Sequence, residues 1–162
     1  MSSVFHDTEI NNCKLIINKV FSDKRGEFSE IYKYGPLSPI KQVNYSHSFG
    51  NVFRGIHQTP YGKLISCVSG SILDICVDLR KESPTFLKVV VKKLDPIQMN
   101  SLYIPPNCGH GFYALTDSVI IYAQEDIYSD ETNINHHYSK FSIDIPELDF
   151  ANISKKDSIN EN

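Results

Sequence analysis

The sequence contains no long run of basic residues and no long run of apolar residues. No stretch of lysine or arginine is longer than a pair, and the chain carries a formal net charge of −3 with a pI near 6.0. Because phosphate binding requires a concentrated positive patch, we do not expect nucleic acid as a partner. The apolar runs are too short to span a bilayer, and the N-terminus lacks the apolar core of a signal peptide. We therefore expect no membrane association.

Closely spaced cysteine pairs are also absent. The chain has four cysteines but no C-x-x-C motif, and three of the four lie within apolar stretches. This pattern favours buried free thiols, which persist in a reducing compartment. We therefore expect a cytoplasmic protein without disulfides.

Short extended segments separated by turn residues fill most of the chain. At 162 residues, the length indicates a single domain over residues 1–162. The predicted strands are Lys14–Phe21, Glu27–Tyr34, Ile40–Ser48, a strand through His57, Leu64–Val68, Ile72–Leu79, Thr85–Lys92, Met99–Ile104, His110–Leu115 and Val119–Gln124. Residues 153–162 could form a helical turn or a disordered end. So many short strands without a helical period predict an all-β sandwich or barrel.

The segment from Phe53 to Arg80 combines this strand pattern with an unusual number of ionisable residues. Within it, Ser71–Asp78 alternates between an apolar face (Leu73, Ile75, Val77) and a second face (Asp74, Cys76, Asp78). Two strands upstream should each present three side chains on one face: Phe53, Gly55 and His57 on the first, and Lys63, Ile65 and Cys67 on the second. If these faces line one cavity, a base and a cation meet on a rigid wall.

The histidines do not have the spacing of metal ligands. A zinc or iron site needs about three or four nitrogen, oxygen or sulfur ligands, often with two histidines close together. His57 and His110 each stand alone, while His136 and His137 are adjacent and would face opposite ways in a strand. We therefore expect no metal.

Acid–base chemistry is the alternative to a metal site. His57 is the natural base because its ordinary pKa lies near neutral pH, although a buried histidine bonded to a backbone carbonyl fits equally well. Lys63 would need an anion if it points inward, or it could lie outward in solvent. Tyr122 and Tyr128 could transfer protons or simply pack. The residues by themselves leave these alternatives open.

Short motifs occur in a fixed order along nearly the whole chain. They are Asp23-Lys24-Arg25-Gly26 with Glu30; Gln42, Asn44, Ser46 and Ser48; Arg54-Gly55-Ile56-His57; Gly62-Lys63-Leu64; Asp74 to Arg80 with Ser83-Pro84-Thr85-Phe86; Ile104-Pro105-Pro106 through His110-Gly111-Phe112; Tyr122 through Tyr128; and Ser154-Lys155-Lys156-Asp157. Each motif is weak alone, but the ordered set resembles the nucleotide-sugar 3,5-epimerase family.

This resemblance implies a fold and a reaction. The family has a metal-free cupin-type β-barrel, or jelly roll, and is usually a homodimer that exchanges N-terminal strands. It needs no cofactor, and its substrate is a nucleotide-linked 4-keto-6-deoxy sugar used in deoxysugar or surface-polysaccharide synthesis. By resemblance, His57 is the base, Asp157 its carboxylate partner, Lys63 the cation beside the enolate oxygen, and Tyr122 the acid on the opposite face of the sugar.

The resemblance also implies a set of substrate-binding residues. His110 would lie near the sugar, Tyr128 would stack on the base or ribose, and Arg54 would hold the diphosphate. Arg25 would reach the same diphosphate from the partner subunit. Glu30 belongs to the same N-terminal nucleotide-contacting segment, and Gln42 and Asn44 belong to the strand that follows it.

Two other functions fit the same pattern. A 3,4-ketoisomerase would use similar acid–base residues on the same barrel, and a sugar-nucleotide-binding barrel would have no catalysis. The sequence leaves open which nucleotide is bound, whether the sugar is a hexose or heptose, and whether C3, C5 or both are epimerised.

Overall fold

The computed structural model describes residues 3–33 and 39–158, and the regular secondary structure of these residues is almost entirely β-strand. The all-β jelly-roll prediction is confirmed. The strands are β1 Val4–Asp7, β2 Lys14–Ile17, β3 Val20–Asp23, β4 Gly26–Ser29, β5 Gln42–Ser48, β6 Val52–Gln58, β7 Lys63–Ser69, β8 Ile72–Val77, β9 Val89–Leu94, β10 Asn100–Ile104, β11 Gly109–Ala114, β12 Ser118–Gln124, β13 Ile134–Asn135 and β14 Asn152–Ile153. Two 3-10 helices span Tyr138–Lys140 and Pro146–Phe150, and helix α1 spans Lys155–Ser158.

Two sheets form the sandwich, and a short hairpin stands apart from both. The first sheet has the order β1-β2-β10-β7-β12-β5, and the second has the order β13-β6-β11-β8-β9, with β14 added parallel to β6. The other strand pairs within both sheets are antiparallel. Among the described residues, β3 and β4 pair only with each other. No helix in the described part of the chain is long and apolar enough to cross a membrane.

The main core lies between the two sheets. Alternate residues of each strand point inward, so β7 contributes Ile65 and Cys67 while β8, from the facing sheet, contributes Ile72 and Cys76. All four cysteines are free and buried, as predicted. The inward positions continue to the end of the sandwich, where they become polar and line a cavity.

A second apolar layer covers the outer face of the second sheet. Leu73, Ile75 and Val77 pack there against residues that follow β13, including Tyr138 and Leu148. The predicted alternation of β8 is therefore correct, but both of its faces are covered by protein. Asp74 shares the inner face with Ile72 and Cys76 and is fully buried between the two sheets.

Three predicted strands differ from the observed ones by more than two residues at one end. The strand predicted over Lys14–Phe21 divides between β2 and β3: Asn18 still bonds to Met99 and Ser101 at β10, and β3 then leaves the sheet to pair with β4. The strand predicted over Glu27–Tyr34 ends at Ser29, and Tyr34 lies outside the described residues. The strand predicted from Thr85 begins at Val89, because the Ser83 and Thr85 hydroxyls donate to the Asp78 carboxylate and hold a turn.

The face predicted for Phe53, Gly55 and His57 is also wrong, because β6 contains a bulge. His110 pairs with His57 and Phe112 with Arg54, so two residues of β6 lie opposite Gly111 alone. The extra residue reverses the alternation. Arg54 and His57 consequently share the cavity face, whereas Phe53 packs in the outer layer.

This bulge requires glycine at position 55. Its φ is +128°, and a Cβ there would lie 2.5 Å from the Gly111 Cα and 2.8 Å from the His110 carbonyl oxygen. Because both contacts are backbone atoms, the chain could not relieve the overlap by moving a side chain.

We expect Gly55→Ala to lower the free energy of unfolding by at least about 3 kcal/mol, since steric overlap adds to backbone strain. Gly26→Ala is the matched control: Gly26 has a φ of +130° with nothing within 4 Å of an added Cβ. It should lose only about 1–2 kcal/mol. Denaturant unfolding of both variants would test this, and equal losses would contradict the importance of the close approach to Gly111.

Candidate active site

A cavity of about 180 Å³ lies between the sheets, where β6 and β12 end and β7 and β11 begin. Both sheets contribute polar side chains to its wall. The lining residues are Ser46, Arg54, His57, Lys63, His110, Phe112, Ile120, Tyr122, Gln124, Tyr128 and Asn133. Six residues that the sequence identified as candidates therefore meet in one place: Arg54, His57, Lys63, His110, Tyr122 and Tyr128.

His57 is paired with a carboxylate from the C-terminal helix. Its Nε2 lies 2.7 Å from Asp157 Oδ1, and the Gly55 backbone N–H donates to Asp157 Oδ2 at 3.3 Å. The Asp157 N–H in turn donates to the Ser154 hydroxyl at 3.2 Å. Burial tends to raise the pKa of Asp157, but the hydrogen bond and charge of His57 outweigh it and the net pKa is lowered. An ionised Asp157 accepts a hydrogen bond from the protonated Nε2, which leaves Nδ1 as the basic nitrogen.

Lys63 opens β7 and points into the cavity, with only 6% of its surface exposed. Burial lowers its pKa to about 8, and the nearby Asp74 carboxylate opposes this shift. The Lys63 amine therefore remains mostly protonated at neutral pH. It makes no hydrogen bond or ion pair to any described residue. Its charge is thus available to a ligand in the cavity.

His110 is paired with the second buried carboxylate. Its Nε2 lies 2.8 Å from Asp74 Oδ1, while Asp74 Oδ2 has no hydrogen-bond partner among the described residues. Burial raises the pKa of Asp74, against the charges of His110 and Lys63. Asp74 was not among the predicted site residues. Its position on the Cys76 face of an alternating strand was the available signal.

Tyr122 lies on the first sheet, across the cavity from His57 on the second. Burial raises the pKa of Tyr122, although the charge of Arg54 acts in the opposite direction. The phenol therefore keeps its proton at neutral pH and can act as a donor. Arg54 is itself held by a hydrogen bond from its Nε to the Ser48 hydroxyl at 2.9 Å.

Gln42 and Asn44 support the loop that carries Tyr128. The Tyr128 N–H donates to Gln42 Oε1 at 2.8 Å, and Gln42 Nε2 donates to Asn44 Oδ1 at 2.7 Å. Tyr128 is 40% exposed at the edge of the cavity, and its hydroxyl donates to Asp130 at 2.6 Å. Neither Gln42 nor Asn44 lines the cavity directly.

Arg25 and Glu30 lie outside the cavity. The Arg25 side chain is 84% exposed in the β3–β4 hairpin and pairs with Asp23 at 2.6 Å. Glu30 lies 3.8 Å from Lys33 at the surface. Within one subunit, the structure therefore does not bring these two residues to the other candidates.

Several lining residues were not among the predicted site residues. Phe112 and Gln124 lie within the ordered motifs, whereas Ile120 and Asn133 belong to segments that resemble many others. Only the pairing of strands distant in sequence brings them together. In the described part of the chain, no group of three or more His, Cys, Asp or Glu side chains is arranged to hold a metal ion.

This arrangement can remove a proton from one face of a bound ring and add another proton to the opposite face. A base with a lone pair lies on one sheet, a protonated phenol lies on the other, and a buried cation lies beside them. These are the components needed to remove a proton next to a carbonyl, to stabilise the oxyanion and to return a proton from the opposite side.

Comparison with known proteins places this arrangement in a family. The family model described as dTDP-4-dehydrorhamnose 3,5-epimerase matches residues 7–162. The curated dTDP-4-dehydrorhamnose 3,5-epimerase of Salmonella typhimurium strain LT2 is 33% identical over 165 residues, an alignment that covers 93% of this chain and 90% of the relative.

Solved structures agree with the sequence comparison. The dTDP-4-dehydrorhamnose 3,5-epimerase of Elizabethkingia anophelis NUHP1 superposes with a TM-score of 0.89 at 32% identity, covering 99% of this chain and 96% of the other. The dTDP-6-deoxy-D-glucose-3,5-epimerase of Legionella pneumophila Philadelphia 1, in complex with dTDP-4-keto-L-rhamnose, gives a TM-score of 0.89 at 32% identity and covers 96% and 89% of the two chains. From its sequence, fold and cavity, the chain belongs to the dTDP-4-dehydrorhamnose 3,5-epimerase family.

Proposed function

We propose that the chain is an epimerase that inverts C3, C5 or both in a nucleotide-linked 4-keto-6-deoxy sugar. The observation that carries this proposal is the hydrogen-bonded His57–Asp157 pair facing Tyr122 across a cavity that also contains the buried Lys63. The solved relative in complex with dTDP-4-keto-L-rhamnose makes a dTDP-linked sugar the first substrate to test.

In the proposed reaction, His57 Nδ1 removes a proton from a carbon next to the C4 ketone. The electrons of the broken C–H bond move to the ketone oxygen, and the Lys63 ammonium stabilises the enolate. Tyr122 then donates its proton to the same carbon from the opposite face. Because His57 and Tyr122 lie on different sheets, a ring bound between the sheets would present one face to each.

Substrate binding is assigned to the remaining lining residues. Arg54 would hold the diphosphate, since a guanidinium donates two hydrogen bonds to phosphate oxygens. Tyr128 would stack on the base or ribose, and His110, oriented by Asp74, would contact the sugar. Gln42 and Asn44 would act by holding the Tyr128 loop.

We propose that the active form is a homodimer. The β3–β4 hairpin packs into neither sheet in the described part of the chain, and its Phe21 and Phe28 are 46% and 63% exposed. Strand β5 is an edge strand whose outward Val43 and Tyr45 are 63% and 68% exposed. An open apolar edge is a site for strand addition, so a hairpin from a second copy could cover it. Such an exchange would carry Arg25 and Glu30 to the cavity of the partner.

We also propose that the protein functions in the cytoplasm. Its four free, buried cysteines suit a reducing compartment.

The proposed function predicts solvent deuterium incorporation next to the ketone. Each of the dTDP-, UDP- and GDP-linked 4-keto-6-deoxy sugars would be incubated in deuterium oxide, and the labelled carbon identified by NMR. We expect exchange at C3, C5 or both with at least one nucleotide. Binding without any exchange would replace the epimerase by a non-catalytic binding barrel, and transfer of the carbonyl to C3 would replace it by a ketoisomerase.

His57 and Tyr122 variants should separate exchange from inversion. His57→Asn removes the base, so both rates should fall together by about a hundredfold or more. Tyr122→Phe removes the second proton donor but leaves the base, so His57 can still return a solvent-derived proton to the original face. Inversion should then fall much more than exchange. An unchanged inversion rate in Tyr122→Phe would assign the acid elsewhere, and full exchange in His57→Asn would overturn the base assignment.

Lys63→Met should lower turnover by about a hundredfold with little change in KM, because the charge acts on the enolate. Since the Lys63 pKa is about 8, the ammonium and the activity that depends on it should be lost as pH rises through that value. The alkaline limb of kcat/KM should therefore lie near pH 8 and be absent in Lys63→Met. Lys41→Met at the exposed ion pair with Asp126 is the control. A variant that raised only KM would assign Lys63 to substrate binding.

Arg25 can be tested by complementation between two impaired variants. Arg25→Ala should lower kcat/KM by about ten- to a hundredfold, the value of a lost charged hydrogen bond. If Arg25 serves the partner's cavity, a mixed dimer of Arg25→Ala and His57→Asn contains one intact site, and random mixing should restore about a quarter of wild-type activity. If Arg25 acts within its own subunit, the mixture gains nothing. A stable, active monomer in light scattering would refute the dimer.

A further inference from the structure

The Lys63 ammonium has no hydrogen-bond partner among the described residues, so its position depends on the backbone that carries it. No described residue bonds to its Nζ, and the side chain enters the cavity from the first residue of β7. Lys63 itself is paired with Ile104 of β10 and with Gln124 of β12, whereas Gly62, directly before it, lies outside the strand ladder. Whatever holds the backbone at Gly62 therefore helps to fix the start of β7 and the direction in which the Lys63 side chain leaves it.

The carboxylate of Glu125 bridges three strands at this point. Its Oε2 accepts a hydrogen bond from the Gly62 N–H at 2.8 Å, and its Oε1 accepts one from the Tyr103 hydroxyl at 2.9 Å. The Glu125 N–H donates to the Gly62 carbonyl at 3.1 Å, so one residue satisfies both backbone groups of Gly62. Because β7 lies between β10 and β12, the bridge runs from the end of β12 across the start of β7 to Tyr103 on β10.

Gly62 is the residue that lets this bridge close. A Cβ at position 62 would lie 2.5 Å from the Tyr103 hydroxyl oxygen and 2.6 Å from Glu125 Oε2. The two side chains thus occupy the space that any larger residue would need. Burial and the hydrogen bond to Glu125 raise the pKa of Tyr103 well above its usual range, which keeps the phenol protonated as a donor.

We infer that Glu125, with Tyr103, is a positioning residue that holds the Gly62 turn and thereby places the Lys63 ammonium in the cavity. The residue does not contact the cavity itself and acts only through the backbone adjoining Lys63. This inference rests on the proposed role of Lys63 in the epimerase reaction.

Glu125→Ala removes both bonds of the bridge and should lower kcat by about ten- to a hundredfold with KM nearly unchanged, the cost of a misplaced catalytic group. Glu125→Gln should recover most of this loss, because its amide oxygen can accept from Gly62 and its amide nitrogen can donate to the Tyr103 oxygen. Asp126→Ala is the matched control, since the neighbouring Asp126 carboxylate is exposed and pairs with Lys41. It should leave kcat unchanged.

A double-mutant cycle separates positioning from general stability. In a Lys63→Met background there is no ammonium to place, so adding Glu125→Ala should cost nothing further in kcat. The same loss in both backgrounds would overturn the inference, because Glu125 would then act independently of Lys63.

A second measurement requires no substrate and so remains valid if the proposed reaction is wrong. The Lys63 pKa can be followed by NMR titration, with its resonance assigned from Lys63→Met. We expect about 8 in the wild type and in Glu125→Gln. In Glu125→Ala, water would reach the loosened turn and the pKa should rise toward the ordinary lysine value of about 10.4. Tyr103→Phe, which removes one bond and keeps the ring, should give a smaller rise if Glu125→Ala fails to fold. An unchanged Lys63 pKa in a folded variant would refute the bridge as its positioning device.

Discussion

The contact between Gly55 and Gly111 decides which side chains of β6 enter the cavity. The two backbones are in close contact at the bulge, where β6 has one residue more than β11. This bulge turns Arg54 and His57 to the same side. The Gly55 N–H also donates to Asp157, the carboxylate that holds His57. A single glycine therefore sets both the direction of the proposed base and the position of its partner, and the remaining groups are arranged around that pair.

The cavity places charged groups where water is scarce. Burial lowers the pKa of Lys63 and raises that of Asp74, because the charged form of each group loses hydration. Asp74 Oδ2 and Asn44 Nδ2 are buried without a hydrogen-bond partner in the described part of the chain. Unsatisfied polar atoms normally destabilise a fold, and Asp74 is bonded through its other oxygen to His110, which lines the cavity.

Most of the strand pattern was predictable from local sequence, because alternation and turn residues act over a few positions. The inward face of Lys63, Ile65 and Cys67 follows that rule. The face of β6 did not, because a bulge depends on the opposite strand and leaves no local signal. The start of β9 was predicted wrongly for a similar reason. The Ser83 and Thr85 hydroxyls donate to the Asp78 carboxylate, and this segment therefore forms a turn instead of a strand.

By itself, the sequence determined the fold class, the free buried thiols and, through a resemblance in ordered motifs, a short list of candidate residues. Only the tertiary structure decided which of them meet. His57 and Asp157 are separated by 100 positions yet lie 2.7 Å apart, while Arg25 and Glu30 stay outside the cavity of their own subunit. The pKa of Lys63 and the bridge of Glu125 over Gly62 likewise depend on burial and on strand neighbours distant in sequence. Chemical type is a property of each residue, whereas distance, desolvation and direction arise only when the sheets pack.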